Sequence, residues 1–256
     1  MPQNILCDTD CYIELKVNKI GENKIISDQY INPLPLEYTY DDEHDQLTDN
    51  RNFNFTSTEK TIKLFWSSNS FSDFSYMFSG LTNIIEVKIS HMFRNKNNTL
   101  SYMFKDCINL VNFTSDIQND AYPLVKDVRG MFFNCISLTS FDFTNLYFRN
   151  YDFQYVYSDC DYCYQCYCSV TKTFYNQINM SQMFYNCQKL ELIPTGSNDY
   201  KYISDMTEMF YNCTSLKSID LQNFFSTTDK YINLSYMFYN CKDLSTVNTN
   251  FKTFYV

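Results

Sequence analysis

Four cysteines crowd into one short stretch, CDYCYQCYC, at Cys160, Cys163, Cys166 and Cys168. A C-x2-C-x2-C-x-C run of soft sulfur ligands is the kind of set that holds zinc or an iron–sulfur cluster, so the first chemistry to weigh is metal or redox. The acidic run YDDEHDQLTDNR offers Asp41, Asp42, Glu43 and Asp45 as oxygen ligands, but it lacks the ligand spacing of an EF-hand loop and reads as a solvated loop. Only two histidines are present, His44 and His91, and neither is set beside an activated nucleophile. The chain has four glycines and no GxGxxG, P-loop or GxSxG string. No catalytic residue and no cofactor is expected.

The elements that must position these residues come from a repeat. SYMFSGL, SYMFKDC, RGMFFNC, SQMFYNC, TEMFYNC and SYMFYNC place Met at 77, 103, 131, 183, 209 and 237, with gaps of 26 to 28 residues and one of 52. The long gap is two periods, and VYSDC, with Val156 in the Met position, fills it. The expectation is seven stacked units. Counted from the Met, offsets minus three, zero, plus one and plus four are apolar, as in Met206, Met209, Phe210 and Cys213. At about 100° per residue they share one face, which predicts a short helix. Four residues before each Met stand Asp73, Thr99, Asp127, Asp152, Asn179, Asp205 and Asn233, all helix N-cap types. Three after it stand Gly80, Asp106, Asn134, Asp159, Asn186, Asn212 and Asn240, types that tolerate a left-handed backbone. Apolar residues at plus seven, plus ten and often plus twelve, such as Leu216, Ile219 and Leu221, predict a strand with one buried face.

In this register the cysteine run changes meaning. Cys160, Cys163, Cys166 and Cys168 occupy offsets four, seven, ten and twelve, the slots that elsewhere hold inward Cys, Leu, Ile and Leu. A buried thiol fills such a slot as a small apolar group, and that reading is preferred to the metal site. Cys107, Cys135, Cys187, Cys213 and Cys241 recur one per unit as a column of inward thiols, while Cys7 and Cys11, near the N-terminus, could pair with each other.

The pattern MFxNCxxLxxIDL resembles the BspA-type leucine-rich repeat, the 26-residue "surface protein" repeat, over residues 73–250. The resemblance implies an α/β solenoid: a right-handed leucine-rich-repeat coil with a parallel β-sheet on its concave face and short helices on its convex face. It also implies adhesion or protein recognition at a cell surface. Residues 1–72 read as a β-rich N-terminal cap. CYIELKVNKIGENKIISDQY has the look of a hairpin, and TIKLFW lies about one period before Val87 and Ile89, where it would supply the first rung. Residues 73–256 form the seven-coil solenoid, and the chain has the look of a segment of something longer.

The net charge of −9 and the absence of a basic run argue against nucleic acid. No apolar stretch approaches the length that spans a bilayer, and no signal-peptide pattern follows Met1. The expected partner is a protein or glycan, met by outward side chains of the strands: Glu86, Lys88, Asp116, Asp142, Tyr167, Asp220 and Asn248. Tyr167 is the aromatic anchor of that set. Tyr185, Tyr211 and Tyr239, at offset plus two, project on the helical side as a second patch. Sequons begin at Asn54, Asn97, Asn112, Asn179, Asn212 and Asn233, several of them produced by the repeat itself. The alternatives are an intracellular scaffold of the same shape, or a metal or redox protein centred on Cys160 to Cys168.

Overall fold

The computed structural model describes residues 12–40, 46–47, 49, 51–66, 72–90, 98–116, 125–142, 178–195, 203–222, 224 and 232–249. The cap comprises β1 (Tyr12–Val17), β2 (Gly21–Lys24), β3 (Glu37–Tyr40), β4 (Gln46–Leu47), β5 (Asn52–Phe55) and β6 (Lys60–Phe65). β1 alternates strictly, burying Ile13, Leu15 and Val17 while their neighbours stay half-exposed. The first two segments do not form the expected hairpin. β1 pairs β6, whereas β2 pairs β5 in a separate three-stranded sheet with β4. The reason lies in Ile25 and Ile26, which follow β2 and are fully buried, so the chain enters the core there instead of folding back along β1.

The solenoid strands follow as β7 (Ile84–Ser90), β8 (Asn98–Thr99), β9 (Asn112–Asp116), β10 (Val125–Asp127), β11 (Ile178–Asn179), β12 (Ile203–Asp205), β13 (Ser218–Asp220) and β14 (Thr246–Asn248). They build two parallel ladders. One starts with β7 and β9, where Glu86 faces Asn112 and Ser90 faces Asp116, and reappears as the bridge Ser140–Leu192 and the pair β13–β14. The other runs β8, β10, β11, β12, extended at its two ends by the bridges Asp73–Thr99 and Asp205–Asn233. β1 lies antiparallel against β7, with Leu15 opposite Val87, so β1 rather than TIKLFW adjoins the first solenoid strand.

The protein is thus a β-solenoid, and the short helices of the expected leucine-rich-repeat architecture are absent from the described residues. Each Met–Phe segment is a run of tight turns. In the Met103 coil, the amides of Leu100, Tyr102, Phe104 and Asp106 donate to carbonyls of Asp127, Arg129, Met131 and Phe133 in the next coil, at 2.8–2.9 Å. The amides between them, of Met103, Lys105 and Cys107, close onto Leu100, Tyr102 and Phe104 three residues back, at 3.1 Å. Half of the backbone donors therefore point along the solenoid axis, which a helix forbids because it keeps them all within the segment. Rung spacing supplies the cause. Hydrogen-bonded coils lie about 4.8 Å apart, while a helix with its side chains is about 10 Å wide. The same apolar positions, Leu100, Met103, Phe104 and Cys107, are fully buried by the turns instead.

The predicted caps keep their chemistry in this new setting. Asp73, Asp127, Asn179, Asp205 and Asn233 accept the amide two residues on, at 2.8–3.1 Å, an Asx turn that starts the spiral rather than a helix. Asp106, Asn134, Asn186, Asn212 and Asn240 have φ of 59 to 61°, and Gly80 has φ 78°, as their types foretold. A positive φ at the third residue of a four-residue turn marks type II geometry.

The rung order differs from the expectation of seven consecutive coils. The Met131 coil bonds directly to the Met183 coil: Phe132 donates to Met183 at 2.9 Å and Asn134 to Tyr185 at 2.7 Å, and Asp127 pairs with Asn179 across β10 and β11. The unit centred on Val156 lies outside the described residues. Six Met–Phe coils bond in series. Their phenylalanines share one column.

That column is the core. Phe78, Phe104, Phe132, Phe184, Phe210 and Phe238 stack ring on ring at 5.4–5.7 Å, within 13° of parallel. Phe113 and Phe141 meet the column edge-on from the strand side, as in the 5.3 Å contact of Phe141 with Phe132. Among the described residues, no helix is long and apolar enough to cross a membrane.

Candidate binding surfaces

The strand face places the expected partner-binding residues in two groups. Near the cap, Glu86 and Lys88 are half-buried on β7, and Glu86 is tied to Lys16 at 3.2 Å. At the far end, Asp220 and Asn248 sit opposite each other on β13 and β14 and are both exposed. The Asp220 carboxylate accepts the Gln222 amide at 2.9 Å. Between the groups, Asp142 is half-buried, and the Asp116 backbone pairs with Ser90. Tyr167 lies outside the described residues, as do Cys160, Cys163, Cys166, Cys168, Cys7, Cys11, His44, His91 and the acidic run Asp41–Asp45. Leu192 is 59% exposed on this face, and the ion pair of Lys217 with Glu191, 2.6 Å long, crosses from one rung to the next. Of the sequons, Asn112 presents its side chain outward, whereas Asn212 is bound into the amide ladder of the turn side.

That turn side carries a second surface. Phe133, Tyr185, Tyr211 and Tyr239 stack at 4.6, 4.6 and 4.7 Å, with planes within 18° of parallel. Beside them Asp106, Asn134, Asn186, Asn212 and Asn240 link side chain to side chain, each amide donating to the preceding rung, as Asn186 does to Asn134 at 2.7 Å. One position from the Met on its other side, Tyr76 and Tyr102 stack at 5.2 Å, and Gln182 donates to Glu208 at 2.7 Å. The Lys105 ammonium lies 5.8 Å from the Tyr102 ring and 5.6 Å from Phe133, so it joins the two aromatic rows through cation–π contacts. Packing between neighbouring rings, then the charges of Tyr185, Tyr239 and Glu208, raise the Tyr211 hydroxyl above its ordinary pKa.

Sequence reasoning located the tyrosines and missed the backbone beneath them. Tyr76, Tyr102, Gln182, Glu208 and Tyr236 have φ of 55 to 60°, although none is a type that favours this region. Turn geometry imposes the angle at this offset, and only Gly130, the glycine at the equivalent position, signalled it. The glycine has a further duty: a Cβ there would lie 2.2 Å from Tyr102 Cε1 and 2.4 Å from Cδ1. Gly130→Ala is expected to cost about 1–2 kcal/mol from the left-handed backbone alone. Displacement of the Tyr102 ring adds to that, so the melting temperature should fall by several degrees in a thermal scan. An unchanged melting curve would mean that the ring does not lie over Gly130.

The thiol column is structural. Cys107, Cys135, Cys187, Cys213 and Cys241 are free, and each donates its S–H to the carbonyl of the Phe in the preceding coil at 3.0–3.2 Å. Burial pushes the Cys107 thiol up to about 12 and Cys241 to about 11, and it raises Cys135, Cys187 and Cys213 as well. A thiolate is the reactive form, so these sulfurs are held inert. Among the described residues, no group of three or more His, Cys, Asp or Glu is arranged to hold a metal ion.

Comparison with known proteins gives a family match. The profile of a family described as "Mycoplasma protein of unknown function, DUF285" covers residues 47–166 and 171–256. No curated protein matches, and no solved structure does.

Proposed function

The chain belongs to the family described as Mycoplasma protein of unknown function, DUF285, and from that membership and its stacked coils we propose a non-enzymatic recognition module. In this reading it is an adhesion or protein-interaction solenoid at a cell surface, and it takes a protein or glycan partner on its strand face. One observation carries the reading: inward positions repeat and the outward positions of the strand face do not. Met, Phe and Cys recur at the same buried offsets, whereas the outward offset plus nine reads Glu86, Asn112, Ser140, Leu192, Ser218 and Thr246. Core packing accounts for the first series and leaves the second free to differ rung by rung. A rigid, hydrogen-bonded frame also reduces the ordering cost of binding.

Location rests on the likeness of MFxNCxxLxxIDL to the BspA-type surface repeat. That likeness is one of motif, since the described residues lack the short helices of a leucine-rich repeat. A second reading, an intracellular scaffold of the same shape, is favoured by the five free cysteines among the described residues, which a reducing compartment would preserve.

Two measurements test the proposal. Antibody against the purified chain should label intact cells before permeabilisation; labelling only afterwards selects the intracellular scaffold. On a glycan array and a panel of immobilised surface proteins, the full chain should bind at least one member saturably. Asp220→Ala combined with Asn248→Ala should weaken that binding at least tenfold with circular dichroism unchanged, because both side chains are exposed and neighbours across one rung. Unchanged affinity would reject the strand face as the site.

A further inference from the structure

The turn-side aromatic row has no part in strand-face recognition, and its geometry points to a different ligand. Three features define it. The rings are fixed, because Tyr185 and Tyr211 are sandwiched by their neighbours, Tyr239 stacks on Tyr211, and each sits on a turn whose backbone is bonded to an adjoining coil. The row is amphipathic, with ring edges and phenol hydroxyls beside a parallel column of Asn side chains. It is periodic: two steps, of 4.6 and 4.7 Å, take Tyr185 to Tyr239 over about 9.3 Å.

A polyproline II helix has three residues per turn and rises 3.1 Å per residue, so it repeats every ~9.3 Å. Its period equals two rungs of this row. A β-strand fits poorly, since side chains on one of its faces recur about every 6.7 Å, between one rung and two. Polyproline II segments also leave their carbonyls unbonded, free to accept from a donor, and are read elsewhere by aromatic-lined grooves.

We propose that the row Phe133–Tyr185–Tyr211–Tyr239 binds a proline-rich polyproline II segment lying along the solenoid axis, one turn of ligand to two rungs of protein. Tyr185 and Tyr239 donate their hydroxyls to ligand carbonyls one turn apart, and Tyr211 between them presents a ring edge to the intervening pyrrolidine. Tyr236, 66% exposed and edge-on to Tyr239 at 6.2 Å, widens the apolar strip at the far end. At the near end the Lys105 ammonium over Phe133 supplies a charged donor for a carbonyl or a flanking carboxylate. Because the rings are held by the fold and the ligand is extended before it binds, little conformational freedom is lost by either.

The test is fluorescence anisotropy of a labelled decaproline peptide titrated with the full chain, beside a Gly/Ser peptide of equal length. Saturable binding of decaproline and none of the Gly/Ser peptide is expected. Tyr185→Phe with Tyr239→Phe keeps the stack and removes two donors, and it should weaken binding at least fivefold. Tyr211→Phe should leave it within twofold, and Asp220→Ala with Asn248→Ala should not alter it, so a failure here is separate from a failure of the strand-face reading. The proposal is overturned if decaproline does not saturate, if the Gly/Ser peptide binds equally, or if the double Phe variant binds decaproline like the parent. A linear β-glucan oligosaccharide or self-association responding to that variant in place of decaproline would overturn it too.

Discussion

Between pH 8 and pH 10 in reducing buffer, the solenoid is expected to lose on the order of 6 kcal/mol of stability and to unfold at the alkaline end. Cys107, Cys135, Cys187 and Cys213 are fully buried, and burial holds all four thiols above the ordinary value of 9.0. In the unfolded chain the same thiols ionise near that value. Above pH 9 the unfolded state therefore binds fewer protons than the folded one, and stability falls as pH rises toward the folded values, about 12 for Cys107. The contribution is complete below pH 9. Each thiol costs about 1.4 kcal/mol per pH unit inside that window, and four of them approach the whole stability of an ordinary domain, about 5–15 kcal/mol. Urea midpoints at pH 8 and pH 10 measure the effect. Cys187→Ala with Cys213→Ala should halve the pH slope, whereas equal midpoints for the parent chain at both pH values would mean that the thiols are open to water.

The second large effect is mechanical. Phe184→Ala removes a fully buried ring from the middle of the column, where it stacks on Phe132 at 5.7 Å and Phe210 at 5.5 Å and meets Phe141 edge-on at 5.1 Å. Truncation of a buried Phe costs about 3–5 kcal/mol, and here backbone hydrogen bonds to both neighbouring coils oppose collapse of the cavity. In a solenoid each rung is stabilised by its neighbours, so the loss should also split unfolding into two transitions on either side of the damaged rung. Phe238→Ala, on the last described coil, should cost less and leave a single transition. Equilibrium urea denaturation followed by circular dichroism distinguishes these outcomes; a cost for Phe184→Ala below that for Phe238→Ala would contradict the column.

The partner surfaces were legible to different degrees. Asp220 and Asn248 could be placed on the outer strand face from alternation alone, because a strand with one buried face must turn its intervening side chains out. Tyr185, Tyr211 and Tyr239 could be placed together by their common offset, yet their spacing could not be known before the rung geometry was. The link between Tyr102 and Phe133 through Lys105 was beyond reach, since it joins different offsets on neighbouring coils.

The amino-acid order by itself determined which residues face inward: Met103, Phe104, Cys107 and Leu110 are buried as their recurrence requires, for identical coils can share a core only by presenting identical faces. It determined the left-handed positions too, because Asp106, Asn134 and their equivalents are the side chains that tolerate them. What the Met–Phe segment becomes was decided by the tertiary structure. Apolar residues at minus three, zero, plus one and plus four fit one face of a helix and the inner wall of a turn spiral equally well. Only the stacking of coils at hydrogen-bonding distance selects between them, by turning alternate amides toward the next rung. The same stacking put the Met131 coil directly against the Met183 coil. Which coils are neighbours depends on packing between them, and a period read along the chain contains no information about that.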